Sequence, residues 1–268
     1  MKCNKFIEVL GIPGSGKSTF SKNIFDYKLP NLKLISQNLN NFEKLDLYKL
    51  YFFDQDNKFA NFIKFNCPSY LLKKYIYLRQ KIQSKNYILN KRWSKFYFFI
   101  LKKIDSLENN SWEIKKEYIK FLSDVFFIIN SNSNKTIIQD GGFLFKSSYF
   151  INYGNLSSDY YNSDFIQKYI SLVPKSPNCV IWIRINPELA LDRIYSRKKI
   201  INPFFLRDCK NNLEKINKLK KLDRFLSILI KKTYCKKNII LVDGNLNIDS
   251  KSFRQSMMSY ALQLNNFV

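Results

Sequence analysis

The sequence predicts an α/β fold in which a five-stranded parallel sheet carries helices on both faces. Short apolar segments alternate along the chain with longer stretches whose apolar residues recur every three or four positions. This alternation favours parallel strands joined by helices, because a buried parallel strand is apolar on both of its faces. The candidate strands are KFIEVLG (5–11), LKLISQ (32–37), NKTIIQDGG (134–142), NCVIWIRIN (178–186) and KKNIILVDGN (236–245).

A long helical stretch separates the second and third candidate strands. Asn and Ser clusters punctuate it, and no Gly/Ser linker sets it apart from the rest of the chain. We therefore expect one domain over residues 1–268, with a helical insertion at about 40–132. Its aromatic residues, such as Trp93 and Tyr97, are expected to be helical core. The segments with helical periodicity are SYLLKKYIYLRQKI (69–82), NKRWSKFYFFILKKIDSL (90–107) and WEIKKEYIKFLSDVFFII (112–129).

The composition is that of a folded and strongly basic chain. Hydrophobic residues make up 46 % of the 268 residues, and the formal net charge is +24. Such a charge favours a polyanionic partner, so nucleic acid stays open. However, Lys is spread along the whole chain and is accompanied by abundant Asn, Ile, Phe and Tyr. This pattern favours an AT-rich coding sequence as the origin of the charge.

Cysteine, histidine and hydropathy patterns exclude several classes of protein. The five Cys are far apart and form no C-x-x-C pair, and the chain has no His. A zinc site and a disulfide framework are therefore not expected. Residues 1–20 lack the architecture of a signal peptide, and no apolar run reaches about 18 residues. We expect a cytoplasmic protein without a membrane span.

The segment GIPGSGKS, residues 11–18, matches the phosphate-binding pattern G-x-x-x-x-G-K-[ST] and lies between a predicted strand and a predicted helix. We call it the phosphate loop. Glycines let several backbone N–H groups point at one anion, and the following helix adds its positive end. Lys17 is expected to bridge the outer phosphates of ATP, and the Ser18 hydroxyl to bind Mg²⁺. The predicted ATP-binding residues here are Gly11, Ile12, Pro13, Gly14, Ser15, Gly16, Lys17, Ser18 and Thr19.

Asp140 ends the third candidate strand, TIIQD (136–140). An acidic residue at the end of a buried strand is where phosphate-loop proteins hold magnesium. Asp140 is therefore the second predicted metal residue, and it is also the best candidate for the base that accepts a proton from an attacking hydroxyl. Gly141 and Gly142 would let the chain and a ligand approach closely.

The stretch IRINPELALDRIYSRKK, residues 183–199, predicts a strand followed by a helix that begins at Pro187. Arg193 and Arg197 are four residues apart and so share one face of that helix. Cations brought in on a closing lid can neutralise the charge that spreads over a transferred phosphoryl group. We therefore expect a lid at about 193–215, with Arg193 and Arg197 as catalytic residues beside Lys17 and Asp140.

Three motifs together resemble the P-loop nucleoside and nucleotide kinases, above all the thymidylate kinase and deoxynucleoside kinase group. They are GIPGSGKST, the strand-end acid, and PELALDRIYSRKK followed by the strand IILVDGN. The third motif, PELALDRIYSRKK, matches the group's pattern P-E-x-x-x-x-R-I-x-x-R. The likeness covers residues 5–37, 134–146 and 178–262, and the matching residues of the pattern are Pro187, Glu188, Arg193, Ile194 and Arg197.

The resemblance implies a three-layer P-loop NTPase fold and MgATP as phosphate donor. It also implies that Asp243, Gly244 and Asn245 lie near the adenine base and Arg193 near the transferred phosphate. One departure is that Gly141 stands where the group usually carries Arg. The acceptor site is expected in the helical insertion.

The predicted function is an ATP-dependent phosphotransferase that moves the γ-phosphate of MgATP to a small hydroxyl or phosphate acceptor, favoured as a nucleoside or nucleotide. Two alternatives remain at this point. One is a kinase of polynucleotide 5′ ends, and the other is a P-loop ATPase that is not a kinase. A homodimer also stays open.

Overall fold

The computed structural model describes residues 6–26, 32–35, 91–105, 136–146, 164–173, 176–196, 206, 209–233, 238–246 and 251–267. The strands in these ranges are β1 (Phe6–Leu10), β2 (Leu32–Ile35), β3 (Thr136–Asp140), β4 (Cys179–Arg184) and β5 (Ile239–Asp243). The helices are α1 (Lys17–Asp26), α2 (Lys91–Asp105), α3 (Asp164–Leu172), α4 (Pro187–Tyr195), α5 (Asn212–Thr233) and α6 (Lys251–Asn265).

The described elements belong to two compact units. Helix α2 lies in one of them, and the other, which we call the sheet unit, contains all the other described elements. Most of the predicted helical insertion, and residues 197–205, 207 and 208 of the predicted lid, lie outside the described residues. The division into one domain with an insertion and a lid therefore stays a prediction.

Helix α2 has one buried face. Its sequence places Trp93, Phe96, Ile100 and Ile104 three or four residues apart, and all four are buried. Phe98, by contrast, is exposed. The periodicity in 90–107 thus marked a helix, and Trp93 belongs to its buried face.

The sheet unit contains a parallel sheet with the strand order β2-β3-β1-β4-β5. The predicted α/β class with a parallel sheet and helices is confirmed. The central strand β1 is apolar apart from Glu8 and is buried along its whole length, as expected for a strand covered on both faces. Because the strands are parallel, their carboxyl ends meet at one edge of the sheet. The register places Val9 beside Asp140, and Arg184 beside Asp243, at that edge.

Helices cover both faces of the sheet. Alternate strand residues point to opposite faces. On one face, Val9 and Ile183 pack with Phe20 of α1 and Met257 of α6. On the other, residues of β1 and β4 pack with three helices. Representative members of that second core are Leu10, Trp182, Ile166 of α3, Leu191 of α4 and Leu226 of α5.

Two further features were expected from the sequence. Cys179 and Cys209, which lie within the described ranges, are both free thiols. None of the helices described combines the length and the apolar character needed to span a bilayer.

Candidate functional site

The phosphate loop leaves β1 at the carboxyl edge of the sheet and enters α1 at Lys17. Two of its glycines have left-handed backbone, with φ of 85° at Gly14 and 90° at Gly16. A Cβ on Gly14 would lie 2.2 Å from the carbonyl oxygen of Ala190, so this part of the loop packs directly against α4. Among the described residues, a Cβ on Gly16 would meet no atom within 4 Å. The loop is thus closely packed on one side and open on the other.

The ammonium group of Lys17 lies across the phosphate loop. Its Nζ donates to the carbonyl oxygen of Gly11 at 2.8 Å and to that of Ile12 at 3.1 Å. The same Nζ lies 4.9 Å from the centre of the Phe145 ring, a cation–π distance. Carbonyl dipoles and a ring are partners that an anionic phosphate oxygen can replace, because an ammonium group attracts a full negative charge more strongly than a neutral dipole.

Ser18 and Asp140 come together at the carboxyl edge, although 122 positions separate them in the chain. The Ser18 hydroxyl donates to Oδ2 of Asp140 at 2.7 Å. Asp140 is almost fully buried. Its place is fixed by the pairing of β1 with β3 and by the N–H of Gly141, which donates to the carbonyl oxygen of Val9 at 3.1 Å. Hydroxyl and carboxylate oxygens are ligands of the kind that Mg²⁺ prefers.

Helix α4 reaches the loop after β5 through Arg193. The guanidinium donates to the carbonyl oxygen of Gly244 at 2.7 Å and to that of Leu246 at 3.2 Å. The sequence predicted this side chain beside the transferred phosphate. The hydrogen bonds found here instead run to backbone carbonyls of the loop. Arg197, its predicted companion on the same helix face, lies outside the described residues.

Residues 243–246 form a closely bonded turn, which we call the β5 loop. Oδ1 of Asp243 accepts from the backbone N–H and from the side-chain amide of Asn245, both at 2.9 Å. Oδ1 of Asn245 accepts from the N–H of Asn186 at 2.9 Å. The N–H of Gly244 donates to the carbonyl oxygen of Arg184 at 2.6 Å. The predicted adenine-site residues Asp243, Gly244 and Asn245 are therefore held to the end of β4 and the start of α4.

Glu8 is a buried polar residue of this edge that sequence reasoning did not single out. It lies in the middle of β1, and its carboxylate accepts from the N–H of Leu144 at 3.1 Å and from that of Phe145 at 2.9 Å. Burial raises the pKa of Glu8 to about 8, although these backbone donors favour the charged form. The available signal was an acidic residue inside an otherwise apolar strand, FIEVL.

Glu8 also explains the second glycine after Asp140. A Cβ on Gly142 would lie 2.8 Å from Cδ of Glu8 and 3.1 Å from Oε1 of Gln139. The expected close approach at Gly142 is therefore an approach to side chains of β1 and β3.

The described part of the chain holds no larger cluster of metal-binding side chains. There, no three His, Cys, Asp or Glu side chains group closely enough to hold a metal ion.

Comparison with known proteins gives a likeness of structure only. No protein-family model and no curated protein matches the chain. A solved deoxyadenosine kinase from M. mycoides, with the products dCMP and a flexible dCDP bound, is 17 % identical with a TM-score of 0.41, and the match covers 98 % of this chain and 100 % of that one. The same enzyme with bound dATP is 18 % identical with a TM-score of 0.41, covering 99 % and 100 %. At such values the proposed function must rest on the residues of this chain.

Proposed function

We propose that the protein is a P-loop kinase that transfers the γ-phosphate of MgATP to a small hydroxyl or phosphate acceptor, a nucleoside or nucleotide in the favoured case. The observation that supports this most directly is the contact of Ser18 with Asp140 beside Lys17. Three groups suited to a metal-bound polyphosphate meet at the start of one helix. Ser18 lies in α1 and Asp140 ends β3, so only the folded sheet unit brings the two partners of the contact together.

Ser18 and Asp140 are the residues that would hold Mg²⁺. Their oxygens already lie within hydrogen-bond distance, and Mg²⁺ needs only one or two protein ligands because it keeps several waters and binds phosphate oxygens. When bound, the ion would supply charge neutralisation at the phosphates.

Lys17 and the phosphate loop would bind the phosphates themselves. Lys17 is the first residue of α1, so the positive end of that helix faces the same space. The open side of the loop at Gly16 leaves room for an anion next to the backbone. Replacing the carbonyls of Gly11 and Ile12 by phosphate oxygens would give Lys17 charged partners in place of neutral ones.

Asp140 is also the proposed base. Phosphoryl transfer depends mainly on positioning and charge stabilisation, and a carboxylate near the acceptor hydroxyl accepts its proton. The position of Asp140, almost fully buried at the end of β3, suits both this task and metal binding.

For Arg193 we propose a positioning role in place of the expected contact with the transferred phosphate. Both of its hydrogen bonds described above attach α4 to the β5 loop, where the adenine base is proposed to bind. Arg197 remains the proposed cation for the transferred phosphate.

The test is transfer of labelled phosphate from ATP to a panel of nucleosides, nucleotides, sugars and oligonucleotides. We expect a small acceptor to stimulate turnover, and Lys17→Ala to lower that turnover by about 10²–10³-fold, as for other groups that stabilise transition-state charge. Lys22→Ala is the matched control, because Lys22 lies on the exposed side of the same helix, and it should behave as wild type.

The panel also separates the alternatives. Stimulation by oligonucleotides alone, with steep salt dependence, would make the protein a polynucleotide 5′-kinase. Steady hydrolysis of ATP to ADP that no acceptor stimulates would refute the kinase proposal and leave an ATPase.

A further inference from the structure

The buried carboxyl group of Glu8 serves neither metal binding nor phosphate binding in the site proposed above. It is completely shielded from solvent in the centre of β1. In the strand register Glu8 lies beside Gln139 of β3, whose Oε1 is also buried and has no hydrogen-bond partner among the described residues. Buried polar groups without an evident task are uncommon, because each costs free energy unless it is well paired.

Glu8 caps the turn that follows β3. We call residues 140–146 the β3 elbow. The N–H of Lys146 donates to the carbonyl oxygen of Gly142 at 3.0 Å, which closes a single helical turn. The first N–H groups of such a turn lack partners within it. Glu8 provides them, because its two carboxyl oxygens accept from Leu144 and Phe145. One planar group thus satisfies two adjacent backbone donors.

The β3 elbow in turn touches two consecutive residues at the start of α1. Asp140, at its beginning, accepts from the Ser18 hydroxyl at 2.7 Å. The ring of Phe145, near its end, lies 4.9 Å from Nζ of Lys17. The pairing of β1 with β3 fixes Asp140, whereas the position of the Phe145 ring depends on the backbone turn that Glu8 binds at Leu144 and Phe145.

We propose that Glu8 is a positioning residue, which by capping the β3 elbow sets the Phe145 ring against Lys17. The inference rests on the proposed function in one respect, namely that the phosphates of a nucleotide bind at Lys17 and Ser18. Glu8 acts only through the elbow, because its carboxyl group binds the elbow backbone and the Phe145 ring of the elbow contacts Lys17.

A carboxyl group suits this place better than an apolar side chain. An apolar residue at position 8 would remove the carboxyl acceptor from two buried backbone N–H groups, at a cost in free energy. Burial raises the pKa of Glu8 to about 8, which favours the protonated form at neutral pH. The Glu8 carboxyl and Oε1 of Gln139 border the same point beside Gly142. A carboxyl proton and the acceptor on Gln139 are complementary, and the protonated form buries no net charge.

The Phe145 ring gives the elbow an influence on phosphate binding. An aromatic face attracts an ammonium group and shields it from water. A shielded ammonium group interacts more strongly with an anion, because the local dielectric constant is lower. Disturbing the elbow should therefore lower the affinity for a nucleotide, and the loss should be larger for nucleotides whose phosphates reach Lys17.

The experiment measures equilibrium affinities for ATP, ADP and AMP in Glu8→Gln, Glu8→Leu and Phe145→Leu. We expect Glu8→Leu and Phe145→Leu to weaken ATP by about tenfold, the scale of one lost cation–π contact. AMP should stay within about twofold of wild type by the same reasoning. Glu8→Gln keeps one acceptor for the elbow and a donor for Gln139, so its effect should be smaller than that of Glu8→Leu.

A second readout follows Lys17 directly. Amine-specific labelling of Lys17, measured by mass spectrometry and normalised to the exposed Lys22, should be faster in Glu8→Leu and Phe145→Leu than in wild type. Leu264→Ala is the matched control for lost stability, because Leu264 is fully buried in α6 and belongs to the core on the opposite face of the sheet from Phe145. It should lower the melting temperature without changing the ratio of ATP to AMP affinity or the labelling of Lys17.

The outcomes separate this inference from the kinase proposal. Equal weakening of ATP and AMP, or wild-type affinities with unchanged labelling, would show that Glu8 is only structural. If Glu8→Leu does not fold, Phe145→Leu decides, because it keeps the backbone N–H that Glu8 binds. If wild type binds ATP but phosphorylates no acceptor, the kinase proposal fails while the affinity series still tests Glu8. A wild-type protein that binds no nucleotide would overturn both.

Discussion

The carboxyl edge of the sheet has two halves that are built in different ways. In the half formed by β1 and β3, side chains meet side chains or buried turns, as in Ser18 with Asp140 and Glu8 with the β3 elbow. In the half formed by β4 and β5, the contacts hold the β5 loop to the end of β4 and to α4. There Arg193 holds Gly244 and Leu246, and the N–H of Gly244 binds Arg184.

This difference indicates that the two halves of the edge have different roles. Where charged and hydroxyl side chains contact one another, a ligand can take the place of one partner without disturbing the backbone. Carbonyls held by an arginine fork define the shape of a loop and are not available for exchange. We therefore expect changes in the β1/β3 half to alter phosphate chemistry, and changes in the β4/β5 half to alter loop stability and recognition of the base.

The largest expected effect is that of Asp140→Asn on turnover. The amide has the same shape and can still accept from Ser18, but it lacks the charge that is proposed to bind the metal and to accept a proton. Mg²⁺-dependent turnover should fall by about 10²–10³-fold with little change in thermal stability. Steady-state kinetics over a range of Mg²⁺ concentrations would check this, with Asp192→Asn on the exposed face of α4 as control. A loss below about tenfold would remove Asp140 from both of its proposed roles.

The pH dependence of stability tests the buried carboxyl of the same half. The pKa of Glu8 is raised from 4.5 to about 8, so the folded protein keeps a proton that the unfolded chain releases. The stabilisation is complete below about pH 4.5 and is lost as the pH rises toward 8. In that window the free energy of unfolding of wild type, relative to Glu8→Gln, should fall by up to about 1.4 kcal/mol per pH unit.

Urea unfolding at several pH values measures this slope. Glu188→Gln is a suitable control, because the pKa of the exposed Glu188 is lowered by its hydrogen bond to Lys220. A lowered carboxyl pKa adds stability that is lost only as the pH falls below the ordinary range, outside the window of Glu8. Parallel wild-type and Glu8→Gln profiles would mean that Glu8 is charged in the folded protein.

Alanine substitutions at Gly14 and Gly16 separate the packing of the phosphate loop from its ligand binding. Alanine at either position carries the cost of left-handed backbone, about 1 kcal/mol. Only Gly14→Ala also forces a methyl group against the carbonyl of Ala190, so it should lower the free energy of unfolding by at least about 2 kcal/mol. Gly16→Ala should be the more stable of the two and yet bind ATP poorly, because its methyl group would stand on the open side of the loop. Equal losses of stability would contradict the packing of the loop on α4.

The β1/β3 half was the more predictable from sequence. The phosphate loop is a local pattern, and Asp140 could be paired with Ser18 because parallel strands end at the same edge. Glu8 was missed because its partners are the backbone N–H groups of Leu144 and Phe145, 136 and 137 positions away, and no side-chain pattern marks them. Arg193 was placed on the right helix, but its partners depend on how α4 lies against the β5 loop. Helix periodicity carries no information about that arrangement.

The smallest expected effect is that of Arg193→Lys in the β4/β5 half. Lysine keeps the charge but lacks the planar fork that reaches the carbonyls of Gly244 and Leu246 together. The free energy of unfolding should fall by about 1–2 kcal/mol, since one charge-assisted hydrogen bond at a partly buried site is lost. Hydrogen exchange at residues 243–246 should become faster. Arg224→Lys, on the exposed face of α5, should change neither quantity.

Ligand affinities then decide whether the two halves are distinct. Arg193→Lys should weaken ATP, which carries a base, and leave inorganic triphosphate unchanged. Lys17→Ala should weaken both, because the phosphates are common to the two ligands. If Arg193→Lys also weakened triphosphate, Arg193 would leave the β5 loop when nucleotide binds and would reach the phosphates, as its position in the motif P-E-x-x-x-x-R-I-x-x-R implied. The division between a phosphate half and a base half would then give way to a single site that α4 closes.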